Sequence, residues 1–360
     1  MTSNRIKITF VIPSLAAGGA ERILSFVAKN LSKSQFDTTL LVIGHETDTV
    51  YDVTGLNVIY LNRSRVMKSL FSIVNYLKNE KPQIVLSSIY HLNVTMAFLS
   101  YLFKKTKFIA REANVLSVLE THATDNRLSL SKSLIRKAYQ KVDCLICQSK
   151  DMQQDMIKNY GVALDRTVLI NNPITHEVEP KREARQSAGM LQIITVGRLS
   201  KEKGHDRIIE VLSKLEIPFH YNLIGNGPEQ ENVTKLIQSK SLEDQVTYTN
   251  YTSDVESFLR KSDIFLQGSY SEGFPNALIE SCVVGTPIVA FKAPGGIDEI
   301  IETGKNGYIV ESIEDCVDQL TALFENFTFH PKEVNKIVVE RFNSKKIISQ
   351  YENLFLKLTT

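Results

Sequence analysis

Twice in this chain a short run of β-branched and apolar residues ends in a glycine-bearing turn and passes into a stretch with helical periodicity. Residues 7–13 (KITFVIP) lead through Gly18, Gly19, Ala20, Glu21 and Arg22 into Ile23, Leu24, Phe26, Val27 and Leu31. Residues 192–196 (QIITV) lead through 197–204 (GRLSKEKG) into HDRIIEVLSKL. A strand that feeds a helix reaches its next strand by a crossover, so the two pair in parallel and helices cover the sheet faces. Strand-like runs at 38–43, 57–60, 83–87, 107–110 and 144–147, with helical stretches between them, carry the pattern through the first half. Runs at 220–225, 264–267 and 287–291 carry it through the second. The predicted class is therefore α/β with two doubly wound domains, whose ligands would bind outside the C-terminal strand ends. The first glycine turn is not G-x-G-x-x-G, which takes the main support from a dinucleotide-binding reading.

At 360 residues the chain is long enough for two domains, each with its own core. The polar run at 175–189 (THEVEPKREARQSAG) has no apolar period and marks the break. We expect an N-terminal domain over 1–172, a second over 173–342, and a final helix over 343–360 with Ile347, Ile348, Tyr351, Leu354 and Phe355 on one stripe. The two halves differ in charge: residues 1–172 hold 22 Lys and Arg against 13 Asp and Glu, a net +9, and residues 173–360 hold 20 against 27, a net −7. Such halves meet different partners.

Composition excludes several classes. With 43% hydrophobic and 23% charged residues the chain reads as a soluble globular protein. Its longest apolar stretch, near 94–103, is too short to span a bilayer, and no targeting signal stands out, so a cytoplasmic location is expected. The four cysteines form no disulfide framework; Cys144 and Cys147 make a C-x-x-C, but VDCLICQS has the apolar run of a buried strand and no second ligand pair follows. Basic residues recur beside apolar ones at Arg63, Arg65 and Lys68, at Lys104, Lys105 and Lys107, and at Arg127, Lys132, Arg136, Lys137 and Lys141, interleaved in the last group with Leu128, Leu130, Leu134, Ile135 and Tyr139. That pattern suits weak peripheral contact with an anionic membrane, at about 1 kcal/mol per well-placed cation. No compact basic and aromatic cluster of a nucleic-acid module is present.

The chemistry concentrates in two places. In 197–204, Arg198 ends a strand and Lys203 precedes the next helix, so one turn can aim both cations at one point. A diphosphate leaving group needs that arrangement, because negative charge grows on it as its bond to a sugar breaks. In 271–285 (SEGFPNALIESCVVG), Glu272 precedes Gly273, Phe274 and Pro275 at a helix start, and the helix runs past Asn276 and Glu280 to a Gly285 stop. Asn276 and Glu280 lie i,i+4 apart on one face, leaving Leu278, Ile279, Cys282 and Val283 for the core. The N–H groups of a helix start also attract phosphate.

The spacing E-x7-E within EGFPNALIE, followed by GTPIVA and PGG, resembles the donor-site signature of family-4 retaining glycosyltransferases (glycosyl transferases group 1), and GRLSKEKG resembles that family's second-domain phosphate motif. The resemblance implies the GT-B fold, two Rossmann-like domains facing across an interdomain cleft, with the last helix crossing back onto the first domain. It also implies a hexosyltransferase that uses a nucleotide sugar, most commonly a UDP-sugar, as substrate, with attack on the face from which the diphosphate departs. No Asp-x-Asp stands at a strand end, so no cofactor and no metal are expected and the cations take the metal's place.

On this resemblance Arg198, Lys203 and Glu272 do the chemistry, and Glu280 holds the ribose. Gly19 in the GGAER loop, Gly197, Asn226, Gly227, Tyr251, Gly273, Phe274 and Asn276 line the donor. Where many relatives carry a histidine near the reacting sugar this chain has Glu112-Ala113-Asn114, which leaves Glu112, Asn114 and His91 as acceptor-side candidates. The acceptor implied is a saccharide, lipid-linked or free, in bacterial surface-polysaccharide or glycan assembly. Rival readings are a sugar-nucleotide epimerase of the same fold, which needs acid and base residues in the cleft, and a non-catalytic sugar-nucleotide sensor, which would tolerate loss of Glu272. A glycogen-phosphorylase-like enzyme would need a pyridoxal-binding lysine motif, and none is found.

Overall fold

The computed structural model describes residues 5–16, 18–118, 131–183 and 189–360. The chain divides into two compact units, one running to Thr175 and taking up Ser344–Thr360, the other spanning His176–Asn343.

In the first unit seven parallel strands form one sheet: β1 (Ile6–Ile12), β2 (Phe36–Val42), β3 (Asn57–Tyr60), β4 (Ile84–Ser88), β5 (Lys107–Arg111), β6 (Cys144–Cys147) and β7 (Thr167–Leu169), in the order β3-β2-β1-β4-β5-β6-β7. Its helices are α1 (Gly19–Asn30), α2 (Val66–Glu80), α3 (Tyr90–Leu99), α4 (Lys132–Tyr139) and α5 (Lys150–Tyr160). Strand order reverses between β1 and β4, which pair directly with Phe10 opposite Leu86. The central strands β1, β4, β5 and β6 are buried on both faces over most of their length, as their runs of Val, Ile and Leu require when helices cover each side.

The second unit repeats the plan with β8 (Leu191–Val196), β9 (Phe219–Ile224), β10 (Val246–Thr249), β11 (Ile264–Gln267), β12 (Ile288–Phe291) and β13 (Gly307–Val310) in the order β10-β9-β8-β11-β12-β13. Its helices are α6 (His205–Ser213), α7 (Gln230–Ser239), α8 (Val255–Lys261), α9 (Asn276–Val284), α10 (Ile297–Ile300), α11 (Ile313–Glu325) and α12 (Pro331–Phe342). The order reverses between β8 and β11, so the loops that close these two strands flank the crevice where such sheets bind ligands.

The last helix, α13 (Ser344–Thr359), belongs to the first unit. Ile347, Ile348, Tyr351, Leu354 and Phe355 are all buried, and Phe355 meets Phe10 and Phe36 edge-on with ring centres 6.2 and 6.1 Å apart. Arg111 adds a polar tie: fully buried, it donates to the Tyr351 hydroxyl (3.2 Å) and to Asn172 Oδ1 (2.6 Å), fastening the segments on which the chain leaves the first unit and returns to it.

Several expectations shift by a residue or two. The helix of the acidic motif begins at Asn276, with Pro275 as the residue before it, because Pro275 takes an extended ψ of 96°. Gly285 ends that helix in the left-handed region at φ +90°. The described start of the polar run is tied down at Lys181: its backbone N–H donates to the Val284 carbonyl, and its ammonium donates to the Ser262 carbonyl (2.7 Å) and the Thr286 hydroxyl (3.1 Å), capping two helix ends. All four cysteines are buried and free, with burial pushing the Cys144 thiol up to about 12 and Cys147 further, so the C-x-x-C is core. Arg127, Leu128 and Leu130 lie outside the described residues.

Candidate active site

In the second unit the loop after β8 carries Gly197, Arg198 and Lys203, and the loop after β11 carries Ser269 and Glu272. They meet at the order reversal. Lys203 Nζ donates to both carboxylate oxygens of Glu272, at 2.7 and 2.9 Å. Glu272 is the more enclosed partner, with 7% of its side chain exposed against 29% for Lys203. Two further donors complete its surroundings: Ser269 Oγ at 2.5 Å and Gln267 Nε2 at 3.3 Å, both to Oε1. A carboxylate removed from water needs such a set of partners.

Glycines allow the loops to come this close. Gly204 has φ +60°, and a Cβ there would stand 1.9 Å from the Gly268 carbonyl oxygen. Gly295, in the PGG turn after β12, lies against the backbone of Glu272, whose N–H donates to Pro294. Gly296 faces the ring of Phe274 and donates to the Gly273 carbonyl. The Phe274 side chain is core, 5.3 Å from Phe342 ring to ring, so any part it takes in binding falls to its backbone. On α9, Leu278, Ile279, Cys282 and Val283 are buried while Asn276 and Glu280 stay half-buried on the other face.

The turn after β9 packs onto the β8 loop. Leu199 N–H donates to the Asn226 carbonyl (2.8 Å), Glu229 N–H to the Leu199 carbonyl (2.9 Å), and Gly227 abuts the Leu199 backbone. Gly197, Arg198, Asn226 and Gly227 thus form one cluster. Tyr251 stands apart from it, 67% exposed after the edge strand β10.

The arrangement is suited to anions. Lys203 has three donors and Glu272 takes two, leaving one. The Arg198 guanidinium is exposed and has no hydrogen-bond or ion-pair partner among the described residues. The start of α9 adds backbone N–H groups from a helix of nine residues. Among the described residues no group of three or more His, Cys, Asp and Glu side chains is placed to hold a metal ion.

In the first unit the acceptor-side candidates separate. His91 and Asn114 are exposed. His91 is the second residue of α3, which Tyr90 opens immediately after Ile89, whose φ of +75° is a costly conformation for a β-branched residue. Glu112, expected to face a ligand, is turned inward and 2% exposed. It accepts from the Tyr139 hydroxyl and from Ala113 N–H (3.1 Å), and Asn93 links this pair to Ser87 and the Arg111 carbonyl. Burial, opposed in part by the Tyr139 hydrogen bond, pushes the Glu112 carboxyl up to about 7. The tertiary fold overrides the strand-end expectation here, because Tyr139 from α4 arrives to hydrogen-bond it.

The expected anion cradle before α1 is also occupied by the chain itself. Gly18 N–H donates to the Tyr51 hydroxyl (2.6 Å), which donates back to the Gly18 carbonyl, and the Glu21 carboxylate folds against Gly18 while Gly19 is exposed. Sequence reasoning missed Gln267, Ser269 and Arg207 as parts of the Glu272 surroundings. The only advance signal was a glutamine ending an otherwise apolar strand, IFLQ.

On the surface of α2, Phe71 is 92% exposed and Met67, one turn earlier, is exposed with it, beside exposed Arg63, Arg65 and Lys68. Tyr101 lies under two ammonium groups, Lys104 at 5.4 Å and Lys141 at 5.6 Å. No helix among the described residues is long and apolar enough to cross a membrane.

Residues 179–337 match the family model described as Glycosyl transferases group 1, and residues 17–178 match the one described as Glycosyltransferase Family 4. A protein of Haemophilus influenzae named as an uncharacterized glycosyltransferase is 27% identical over 97% of this chain and 99% of its own. The N-acetylgalactosamine-N,N'-diacetylbacillosaminyl-diphospho-undecaprenol 4-alpha-N-acetylgalactosaminyltransferase of Campylobacter jejuni is 25% identical over 89% of this chain and 88% of its own. Among solved structures, Anabaena Alr3699/HepE in complex with UDP superposes with a TM-score of 0.82 at 18% identity, covering 98% of this chain and all of that one.

Proposed function

Because the chain belongs to the family-4, group 1 glycosyltransferases and has their GT-B fold, we propose that it moves a sugar from a UDP-sugar to a lipid-linked saccharide, retaining the anomeric configuration and using no metal. The observation that carries this reading is the Lys203–Glu272 pair, set between the β8 and β11 loops where the second sheet reverses its order. Arg198 and the remaining Lys203 donor take the diphosphate, and their fixed charge stabilises it as the sugar leaves; one such contact contributes about 3–4 kcal/mol to a barrier of this kind. Glu280 takes the ribose hydroxyls. Glu272, with the N–H groups of Gly273, Phe274 and Asn276, takes the sugar and the phosphate next to it.

Retention is what the resemblance to the family implies, and the state of Glu272 at rest then favours same-face attack over double displacement through an enzyme nucleophile. Its carboxylate is engaged by Lys203, Ser269 and Gln267, which suits an acceptor of hydrogen bonds and not a nucleophile toward a sugar carbon. The acceptor hydroxyl then attacks the face from which the diphosphate departs, and a diphosphate oxygen takes its proton. The choice of UDP is supported by the solved neighbour named as a UDP complex, and a lipid-linked acceptor by the C. jejuni relative named for a diphospho-undecaprenol substrate. Contact with the cytoplasmic face of a membrane is supported by Met67 and Phe71 beside three cations: burying one such side chain contributes about 1.5–3 kcal/mol.

The test is thermal-shift screening of UDP, GDP, ADP and their sugar conjugates, with and without magnesium, on wild type and Arg198→Ala/Lys203→Ala. A ligand at 100 times its Kd stabilises by about 2.7 kcal/mol. A uridine-specific shift without magnesium that the double variant loses upholds the donor site; no shift with any nucleotide overturns it. Binding without transfer to any saccharide would favour the sensor. Co-sedimentation with anionic vesicles, lost in Phe71→Ser, checks the membrane contact.

A further inference from the structure

The loop that holds Glu272 is itself held, and by a residue that neither the phosphate motif nor the acidic motif contains. Arg207, in the first turn of α6, donates from Nε to the Gly268 carbonyl and from Nη2 to the Ser269 carbonyl. Its guanidinium carbon lies 4.2 Å from the ring centres of both Tyr270 and Phe291. Ser269 then passes the constraint on, since its hydroxyl donates to Glu272 Oε1, the same oxygen that Lys203 reaches. Two more bonds tie the same segment to 202–207: Tyr270 N–H to the Glu202 carbonyl and the Tyr270 hydroxyl to Asp206 Oδ2, both at 2.8 Å.

The other wall is held from the same helical turn. His205, 4% exposed, meets the Arg198 carbonyl with Nε2 at 3.1 Å. A carbonyl only accepts, so Nε2 carries the proton, and Nδ1 is buried with no hydrogen-bond partner among the described residues. The first turn of α6 therefore grips the loop of Arg198 with one residue and the loop of Glu272 with another. A planar fork spanning two consecutive carbonyls fixes both position and orientation, which a lysine ammonium does not.

We propose that Arg207 is a positioning residue for nucleotide binding: by gripping the Gly268 and Ser269 carbonyls it sets Glu272 at the distance from Lys203 that the donor requires. The proposal rests on the donor-site reading above. A packing role alone would lower the melting temperature of an Arg207 variant and leave its nucleotide affinity intact at temperatures where it is folded. A positioning role lowers affinity and loosens the loop.

The experiment measures UDP affinity by calorimetry and amide hydrogen exchange across 268–274 in the full chain, for wild type, Lys203→Ala, Arg207→Leu and Arg207→Lys. Arg207→Leu is expected to weaken UDP by at least about tenfold, equivalent to 1.4 kcal/mol, and to speed exchange in 269–273. Arg207→Lys, keeping the charge without the fork, recovers only part of the affinity. Lys203→Ala weakens UDP without loosening the loop to the same degree. If Lys203→Ala loses UDP while Arg207→Leu binds it as wild type does, the positioning role is overturned and the donor site stands. If wild type binds no UDP, both fall. Should Arg207→Leu fail to fold, Arg207→Lys carries the test, because it keeps the charge and loses the fork; wild-type affinity and exchange in that variant would overturn the proposal by themselves.

Discussion

Replacing Lys203 with methionine isolates what its contact with Glu272 contributes to stability and what it contributes to function. The substitution leaves a carboxylate with 7% of its side chain exposed, still bonded to Ser269 and Gln267 but without its counter-charge. Breaking a fully buried pair from one side costs roughly 3–5 kcal/mol. Lys203 keeps 29% of its side chain exposed, so water screens part of the loss, and we expect about 2–3 kcal/mol. At roughly 2–4 °C per kcal/mol for a domain of this size, the melting temperature falls by about 4–12 °C. Adding Glu272→Gln removes the orphaned charge while keeping an oxygen for Ser269 Oγ and Gln267 Nε2, so the double variant returns to within about 1 kcal/mol of wild type. Function does not return: UDP affinity stays about 10- to 100-fold weaker in single and double variants, the loss of one charge-assisted bond. Thermal unfolding and calorimetry on the three proteins read both quantities. A Lys203→Met protein as stable as wild type would refute the electrostatic account of the pair, and a double variant that recovered UDP affinity with its stability would refute its role in binding.

Three further outcomes follow from the geometry. Glu112→Gln should show a pH-dependent gain. The folded state keeps the Glu112 proton up to about pH 7, whereas the unfolded chain loses it near 4.5, so wild-type stability falls as pH rises through that window. The variant should gain about 2–3 kcal/mol over wild type between pH 5 and pH 8 in urea melts, and parallel profiles would refute it. Gly204→Ala places a Cβ 1.9 Å from the Gly268 carbonyl at a left-handed φ; a cost above about 3 kcal/mol and loss of nucleotide binding are expected, read by the same melts and calorimetry. Phe355→Ala empties a fully buried site against Phe10, Phe36 and Tyr351 and should cost about 3–5 kcal/mol in denaturant unfolding, although it lies in the last helix of the chain.

What the sequence by itself determined are the features that depend on local pattern. Strand and helix alternate because β-branched runs and 3.6-residue periodicity are written in contiguous residues, and parallel pairing follows from the crossovers alone. The stripe on 343–360 matched the five residues that are buried, since amphipathic spacing needs no partner to be read. The Gly285 stop is equally local. Arg198 and Lys203 could be singled out because cations at a strand end and before a helix stand out against apolar neighbours, and Glu272 and Glu280 because the E-x7-E spacing with its flanking residues resembles the family's donor-site signature.

Only the tertiary structure decided which of these groups touch. Lys203 and Glu272 are 69 positions apart and meet because β8 and β11 are neighbours at the reversal of strand order, a relation that no window of sequence contains. The same holds for Glu112, which Tyr139 from α4 draws inward, and for Arg111, which spans 61 positions to Asn172 and 240 to Tyr351. Nothing in the local sequence marks Arg207 or Lys181, and only the approach of distant backbone carbonyls gave each its place. A residue's type limits the bonds it can make; which atoms come within 3 Å of it is set by the packing of elements remote in the chain.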